Sequence, residues 1–172
     1  IPKCYGGLQV DFLTRIHIIE ELASGWISLC SMIDGHIRVC DYINDFGTDQ
    51  QKVNFLPLLA KGELIAAHAN NEKNMKILEN LETFVTDNDN SPETLVLSGR
   101  KEWVSNSRNA DVFAVSARYL KRDSNATLIN TCVIILKKDT VGLTVGHDWN
   151  RMGFKGISLA PVIFNHCLVE KK

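Results

Sequence analysis

The first third of the chain carries apolar residues at helical spacing. They recur at steps of three and four through Leu8, Phe12, Ile16, Ile19 and Ala23, which predicts an amphipathic helix that buries one stripe. Ser24 and Gly25 are expected to end this helix. A second helix is then predicted from Trp26 to about Asn44, with an inward stripe formed by Trp26, Cys30, Ile33, Ile37 and Cys40.

A capping signal predicts the start of a third helix. Thr48 and Gln51 have the spacing of a capping box, in which each side chain bonds an amide that the helix leaves free. Pro57 is expected to kink or divide this helix because it lacks an amide and clashes with the preceding turn. Gly62 is expected to end it. The predicted inward residues are Val53 and Leu56.

From Leu64 onwards the period changes from helical to extended. Turn-rich stretches separate the strand candidates, and two of these stretches, 86–92 and 121–125, have the polar composition of hairpin connections. Helices followed by strands favour an α+β fold with two layers or two subdomains, not a βαβ sheet. The predicted domains are residues 1–63 and 64–172. The predicted strands are 65–69, 81–85, 94–104, 111–118, 131–137, 141–145 and 161–164.

Composition excludes several classes of partner. With 172 residues and a net charge of -1, the chain has no electrostatic footprint for nucleic acid or an anionic membrane. It contains no apolar run of about 18 residues, so no membrane span is expected. The five cysteines are irregularly spaced without a C-x-x-C pair, which indicates reduced thiols in a soluble protein of a reducing compartment. The five histidines form no ligand cluster, so no metal site is predicted.

Candidate chemistry lies in the stretch from Gly99 to Asn106. In an extended chain Trp103 and Ser105 project to the same face, with Val104 between them. A flat apolar surface beside a hydrogen-bond donor suits a planar heteroaromatic ligand. The alternative is a core tryptophan beside a turn serine, and on these residues alone that arrangement is the more common one.

Several segments, taken in order, resemble the acyl-CoA dehydrogenase family of flavoproteins, and the resemblance runs from about Ile1 to Val169. It implies that the helices are the later part of an amino-terminal helical domain. It also implies that the residues from Leu64 form an antiparallel, β-barrel-like middle domain, and that the family's carboxy-terminal helical domain is absent. The segments are Ile1-Pro-x-x-Tyr-Gly-Gly7, Phe46-Gly-Thr-Asp-Gln-Gln-Lys52, Phe55-Leu-Pro-x-Leu-Ala-x-Gly-Glu63, Trp103-Val-Ser-Asn106, Ala110-Asp111 and Met152-Gly-x-Lys-Gly156.

The same resemblance implies a site for FAD. Trp103 stands where the family's indole covers the flavin ring, and Ser105 stands where a hydroxyl bonds near flavin N5. Val104 would offer backbone contacts between them. The segment 67–72 aligns with the family strand that ends in a Thr-Glu-Pro turn, so three further side chains are expected along the flavin. These are His68, Asn70 and Asn71.

The chain departs from the family pattern next to this segment. Lys73 replaces the proline of the turn, and residues 74–79 replace a Gly-Ser-Asp signature. No residue occupies the position of the family's catalytic base, so no catalytic residue is predicted. The carboxylates Glu20, Glu72 and Glu102 are expected to be ordinary solvated surface.

The resemblance implies α,β-dehydrogenation of an acyl thioester, carried by CoA or by an acyl-carrier protein. As a 172-residue piece without the domain that holds the base, the chain alone is expected to be inactive. The alternative is a non-catalytic module that acts in assembly or partner binding. A homo-oligomer is expected for the full-length protein, in the cytoplasm or the mitochondrial matrix.

Overall fold

A computed structural model describes residues 1–73, 81–120 and 131–171. After a 3-10 turn at Lys3–Tyr5, the helices are α1 (Phe12–Gly25), α2 (Ile27–Phe46) and α3 (Asp49–Lys61). The strands are β1 (Ala66–Ala69), β2 (Phe84–Asp87), β3 (Thr94–Ser105), β4 (Val112–Leu120), β5 (Thr131–Lys137), β6 (Leu143–Val145) and β7 (Leu159–Glu170).

The ends of α3 follow from its sequence. Thr48 accepts a bond from the amide of Gln51, and Gln51 accepts one from the amide of Thr48, so the predicted capping box is confirmed. Gly62 ends the helix with φ +72°, a backbone conformation that other residues rarely adopt. Pro57 lies inside α3, which continues to Lys61 without being divided.

The predicted inward stripe of α1 is wrong for most of its residues. Leu8 is 82% exposed, Phe12 64% and Ile16 44%, and no residue of α1 is fully buried. The helix packs on α2, so its other apolar face stays in solvent. In α3, Leu56 is buried as predicted, whereas Val53 is 59% exposed. Periodicity finds an apolar face, but only a packing partner buries it.

The strands form one mixed, mostly antiparallel sheet in the order β1-β4-β2-β3-β7-β6, and β5 pairs with β4 along its other edge. The α+β fold class is therefore confirmed. β1 and β2 run parallel to β4 and share one of its edges. The connection at 86–92 is the predicted hairpin, since β2 and β3 pair antiparallel across it. The connection at 121–125 lies outside the described residues.

The sheet curls around its own core. Alternate residues of all seven strands pack into one cluster, with Phe113, Val115 and Phe164 among its buried members. This arrangement agrees with the barrel-like domain that the resemblance implied. The buried cysteines Cys30, Cys40 and Cys167 are free thiols.

A second core joins the helices to the sheet. Val39 and Ile43 of α2 and Leu56 of α3 pack against the outer face of β1 and β4, where Ala66 and Ala114 lie. Helix gives way to strand between Lys61 and Ala66. Because the helices share this core with the sheet, the division into domains at residue 63 stays a prediction.

Within the described part of the chain, we find no helix that combines the length and apolar character needed to cross a bilayer.

Candidate functional site

A small open cleft lies between α2 and the ends of β1 and β3. Its volume is about 160 Å³, below the range of roughly 300–1,000 Å³ typical of complete ligand pockets. Five of the six predicted site residues line it. They are His68, Asn70, Asn71, Trp103 and Ser105, and they face Ser31, Asp34, Gly35 and Arg38 of α2, with Glu102 beside them.

A bulge in β3 places Trp103 in this cleft. The register with β7 shifts between Lys101 and Val104, and Trp103 has φ +56°. Strand alternation predicted that Trp103 and Ser105 lie on one face. Both residues do line the cleft, but the chain is not extended at Trp103, so alternation is not the reason. The extra residue of the bulge turns the indole outwards and keeps Ser105 at the same cleft.

The indole of Trp103 is held from one side and open elsewhere. Trp149 stacks on it with ring centroids 4.9 Å apart and an angle of 26° between the planes. Trp103 nevertheless remains 48% exposed. An aromatic ring in this state is a supported platform, because its orientation is restrained while much of its surface stays available for a second flat group.

Ser105 and Val104 make different contributions. The Ser105 hydroxyl lies 3.4 Å from the hydroxyl of Ser31, a long contact that leaves it able to bond a ligand. The Val104 side chain is 1% exposed and belongs to the sheet core. Of these two residues, only Ser105 offers a side chain to the cleft.

The end of β1 supplies polar groups that are already oriented. His68 lies 3.4 Å from the hydroxyl of Tyr42, with the rings tilted at 50°. Burial, reinforced by the charge of Arg38, lowers the pKa of His68, which favours the neutral ring. The carboxamide oxygen of Asn70 accepts a bond of 2.6 Å from Ser116. The carbonyl of Asn71 accepts the amide of Glu102 at 2.8 Å.

A buried ion pair lies beneath the cleft and was not predicted from the sequence. Lys101 Nζ lies 2.6 Å from Glu72 Oε1, and the side chains are 0% and 2% exposed. Lys101 also donates to the carbonyl of Asn70, and Glu72 accepts the amides of Glu82 and Thr83. The pair therefore fastens the end of β1 to β3 and to the residues that lead into β2.

The pKa shifts agree with a charged pair. Burial lowers the pKa of Lys101, and the bond to Glu72 partly offsets that effect. Burial alone would raise the pKa of Glu72, but its bonds from Lys101 and Thr83 outweigh burial and lower it. The sequence contained a sign of this pair. Lys101 lies four residues after the core residue Leu97 in β3, so strand alternation points both side chains inwards. A lysine at an inward position needs a buried partner.

The prediction that Glu72 and Glu102 are solvated surface is wrong. Glu102 is 7% exposed, and its Oε1 accepts a bond of 2.6 Å from Arg100. Its Oε2 is buried without a hydrogen-bond partner among the described residues. The third carboxylate, Glu20, lies on the exposed side of α1 as expected.

Charged residues of α2 form the opposite wall. Arg38 Nε lies 2.7 Å from Asp34 Oδ2, one helical turn away. Both side chains stay partly exposed. The bond to Asp34 outweighs partial burial and raises the pKa of Arg38. The cleft therefore combines one aromatic surface with a mainly polar lining.

Many of the known proteins that are similar in sequence or structure are named acyl-CoA dehydrogenases. A probable acyl-CoA dehydrogenase of Bacillus subtilis is 34% identical over the whole of this chain, which covers 28% of that protein. A solved prolyl acyl carrier protein oxidase is 28% identical with a TM-score of 0.84, over 99% of this chain and 44% of that one. The chain spans between 28% and 42% of the length of the curated relatives it matches.

One structural neighbour was solved with a reduced cofactor. Glutaryl-CoA dehydrogenase from Mycobacterium smegmatis, in complex with FADH2, has a TM-score of 0.78 over 89% of this chain and 37% of its own. Its sequence identity is 20%, so this similarity concerns the fold alone.

Two family models together match most of the chain. The acyl-CoA dehydrogenase N-terminal domain matches residues 1–63, and the acyl-CoA dehydrogenase middle domain matches residues 71–167. The helices and the curled sheet correspond to these two domains in order. The chain therefore belongs to the acyl-CoA dehydrogenase family.

Proposed function

We propose that this chain forms the flavin-side wall of an FAD-dependent acyl-CoA dehydrogenase, which removes hydrogen from the α and β carbons of an acyl thioester. One observation carries the proposal. One cleft is lined by residues that are far apart in the sequence. They are Trp103 and Ser105 of β3, and His68, Asn70 and Asn71 at the end of β1.

The residues present fit one face of a flavin. Trp103 is half exposed and supported by Trp149, so it provides a fixed apolar plane. The Ser105 hydroxyl lies beside that plane without a strong partner, and Asn71 also lines the cleft. Stacking would fix the plane of a tricyclic ring, and one directed bond would fix its rotation. The proposed FAD contacts are the six residues predicted from the sequence, and Val104 would contribute only its backbone. They are His68, Asn70, Asn71, Trp103, Val104 and Ser105.

FAD, when bound, supplies the acceptor for the hydride that leaves the β carbon. The chain's own residues would hold the ring, shield one face from water and offer a donor at Ser105 where charge arrives. We assign no catalytic base among the described residues, because Asp34, Glu72 and Glu102 are each paired with a cation.

The thioester carrier is either CoA or an acyl-carrier protein. The names of the relatives support both choices, since acyl-CoA dehydrogenases and a prolyl acyl carrier protein oxidase occur among them. Relatives from bacteria and from mitochondria are both found. The compartment therefore stays a prediction, as does the homo-oligomer.

A flavin-binding titration tests the proposal. FAD is added to the purified protein, and bound flavin is measured after gel filtration. Trp103→Ala is expected to weaken binding by about tenfold, the size of one lost aromatic contact. Trp26→Ala is the matched control, because Trp26 is 54% exposed but lies outside the cleft. A protein that binds no FAD, or equal loss in both variants, would contradict the proposal.

The non-catalytic alternative is favoured by a different surface. Phe12 and Leu13 of α1 are 64% and 68% exposed, next to Leu8 at 82%. An apolar helix face of this kind is typical of an interaction site. If assembly is the function, Leu13→Lys abolishes a complex seen by light scattering while Trp103→Ala leaves that complex unchanged. The flavin proposal predicts instead that Trp103→Ala lowers the amount of bound FAD, whereas Leu13→Lys leaves it unchanged.

A further inference from the structure

The loop between β6 and β7, residues 146–158, is folded around one side chain. Arg151 lies in this loop, and its guanidinium donates to three carbonyls of the loop itself. The distances are 3.1 Å to Trp149, 2.7 Å to Phe154 and 2.9 Å to Ile157. Because the guanidinium is rigid and planar, these bonds fix the course of the loop on both sides of Arg151.

The backbone at Phe154 shows that this loop conformation needs support. Its φ is +56°, a left-handed conformation that is unusual for a bulky residue. Such a conformation persists only where the surrounding structure holds it. The bond from Arg151 to the Phe154 carbonyl is one such restraint. Loss of the Arg151 guanidinium would therefore release the loop from its present course.

The β6–β7 loop reaches β3 at two points beside the proposed flavin contacts. Near the start of the loop, the ring of Trp149 stacks on Trp103. At its end, the carbonyl of Ser158 accepts the amide of Asn106 at 2.7 Å, directly after Ser105. The loop therefore spans the part of β3 that carries both Trp103 and Ser105.

Trp103 relies on the stacked neighbour for its orientation. The register of β3 with β7 is interrupted between Lys101 and Val104, so regular strand pairing does not set the backbone at Trp103. The residue is also 48% exposed. Contact with the ring of Trp149 restrains the plane of the indole.

We propose that Arg151 is a positioning residue of the flavin site, which folds the β6–β7 loop so that Trp149 fixes the plane of Trp103. This inference rests on the proposed function, because it takes the flat group that Trp103 supports to be the flavin. Arg151 acts through the loop, since its guanidinium is engaged with loop carbonyls. Trp149 passes the effect to Trp103 by direct contact.

Two measurements on the purified protein test the inference. The first is the exciton-coupled circular dichroism of the two stacked indoles, recorded without flavin, which Trp149→Phe identifies by removing one of them. The second is the affinity for FAD. Arg151→Lys keeps the positive charge, but a single ammonium cannot replace the planar fork. We expect this variant to lose most of the dichroism signal and to bind FAD roughly twofold to tenfold more weakly, the contribution of one aromatic pair.

Matched variants separate positioning from charge and from folding. Lys155→Gln removes an exposed positive charge from the same loop, and both measurements should stay unchanged. Trp149→Ala acts at the other end of the contact and serves as the second variant if Arg151→Lys does not fold. It should weaken FAD binding by a similar factor, whereas Trp149→Phe keeps a stacking ring and should retain most of the affinity.

The outcomes distinguish this inference from the proposed function. The inference is overturned if the wild type shows no coupled signal, if Arg151→Lys keeps that signal, or if the signal is lost without any change in FAD affinity. Equal FAD affinity in the wild type and Trp149→Ala would also overturn it, and each of these results leaves the proposed function intact. A wild-type protein that binds no FAD would contradict the proposed function itself.

Discussion

The ammonium of Lys101 lies 2.6 Å from Glu72 across the base of the cleft, and neither side chain has appreciable contact with solvent. The two residues are 29 positions apart in the sequence. Their contact joins β3 to the end of β1, which carries Asn70 and Asn71. The ion pair therefore sets the distance between the two groups of proposed flavin contacts.

Removing one partner should destabilise the fold strongly. Lys101→Met leaves the Glu72 charge buried and unpaired, so we expect the free energy of unfolding to fall by about 3–5 kcal/mol. Chemical denaturation measures the change. The control is Lys61→Met, because Lys61 and Glu63 form a pair whose side chains are 65% and 57% exposed, for which about 0–1 kcal/mol is expected. Similar losses in both variants would show that burial does not decide the effect.

The hydroxyl of Ser105 should contribute to flavin binding. Ser105→Ala removes one hydrogen bond of about 0.5–1.5 kcal/mol, so FAD affinity should fall by roughly twofold to tenfold. Ser105→Thr keeps the hydroxyl and should retain most of the affinity. Ser24→Ala removes an exposed hydroxyl that bonds only the carbonyl of Glu21, and FAD binding should not change. Full affinity in Ser105→Ala would remove this residue from the proposed site.

Stability should decline in mild acid because of His36. Its Nδ1 lies 3.2 Å from the amide of Ala66, which can only donate, so Nδ1 must be unprotonated and Nε2 donates to the carbonyl of Leu59. Burial lowers the pKa of His36, with the Leu59 carbonyl opposing that effect. The unfolded state therefore binds the proton more readily than the folded state.

The direction of the pH effect follows from that order. The contribution of His36 to stability is complete above the unfolded pKa of about 6.5 and is lost as pH falls through the lower folded pKa. Denaturation curves across this range measure it. His36→Gln should be less stable at neutral pH but less sensitive to acid. His68 also has a lowered pKa, so His68→Gln is needed to separate the two histidines. An unchanged pH dependence in His36→Gln would contradict the assignment.

The capping box of α3 should be measurable by itself. Thr48→Ala removes the acceptor for the Gln51 amide, so the free energy of unfolding should fall by about 1 kcal/mol. Thr48→Ser keeps the oxygen and should restore most of that loss. Thermal unfolding of the three proteins compares them directly. If Ser is as destabilising as Ala, the loss comes from the methyl group and not from the cap.

Local signals in the sequence were sufficient for many element boundaries. The predicted strand 131–137 coincides with β5, and the Thr48 cap and Gly62 terminus lie where their residue types required. Capping bonds and left-handed glycines involve residues only a few positions apart, so short sequence patterns encode them. The cluster of proposed site residues could be predicted through a family resemblance, since their types alone also fit a packed core.

The sequence by itself determined that helices come first and strands follow, and it determined the apolar face of each element. Only the tertiary structure decided which faces are buried, since α1 keeps most of its apolar face in solvent while an inward lysine, Lys101, is completely enclosed. It also decided the bulge that turns Trp103 into the cleft. The physical reason is that burial, strand register and ion pairing depend on contacts between residues distant in sequence, and no local period encodes those contacts.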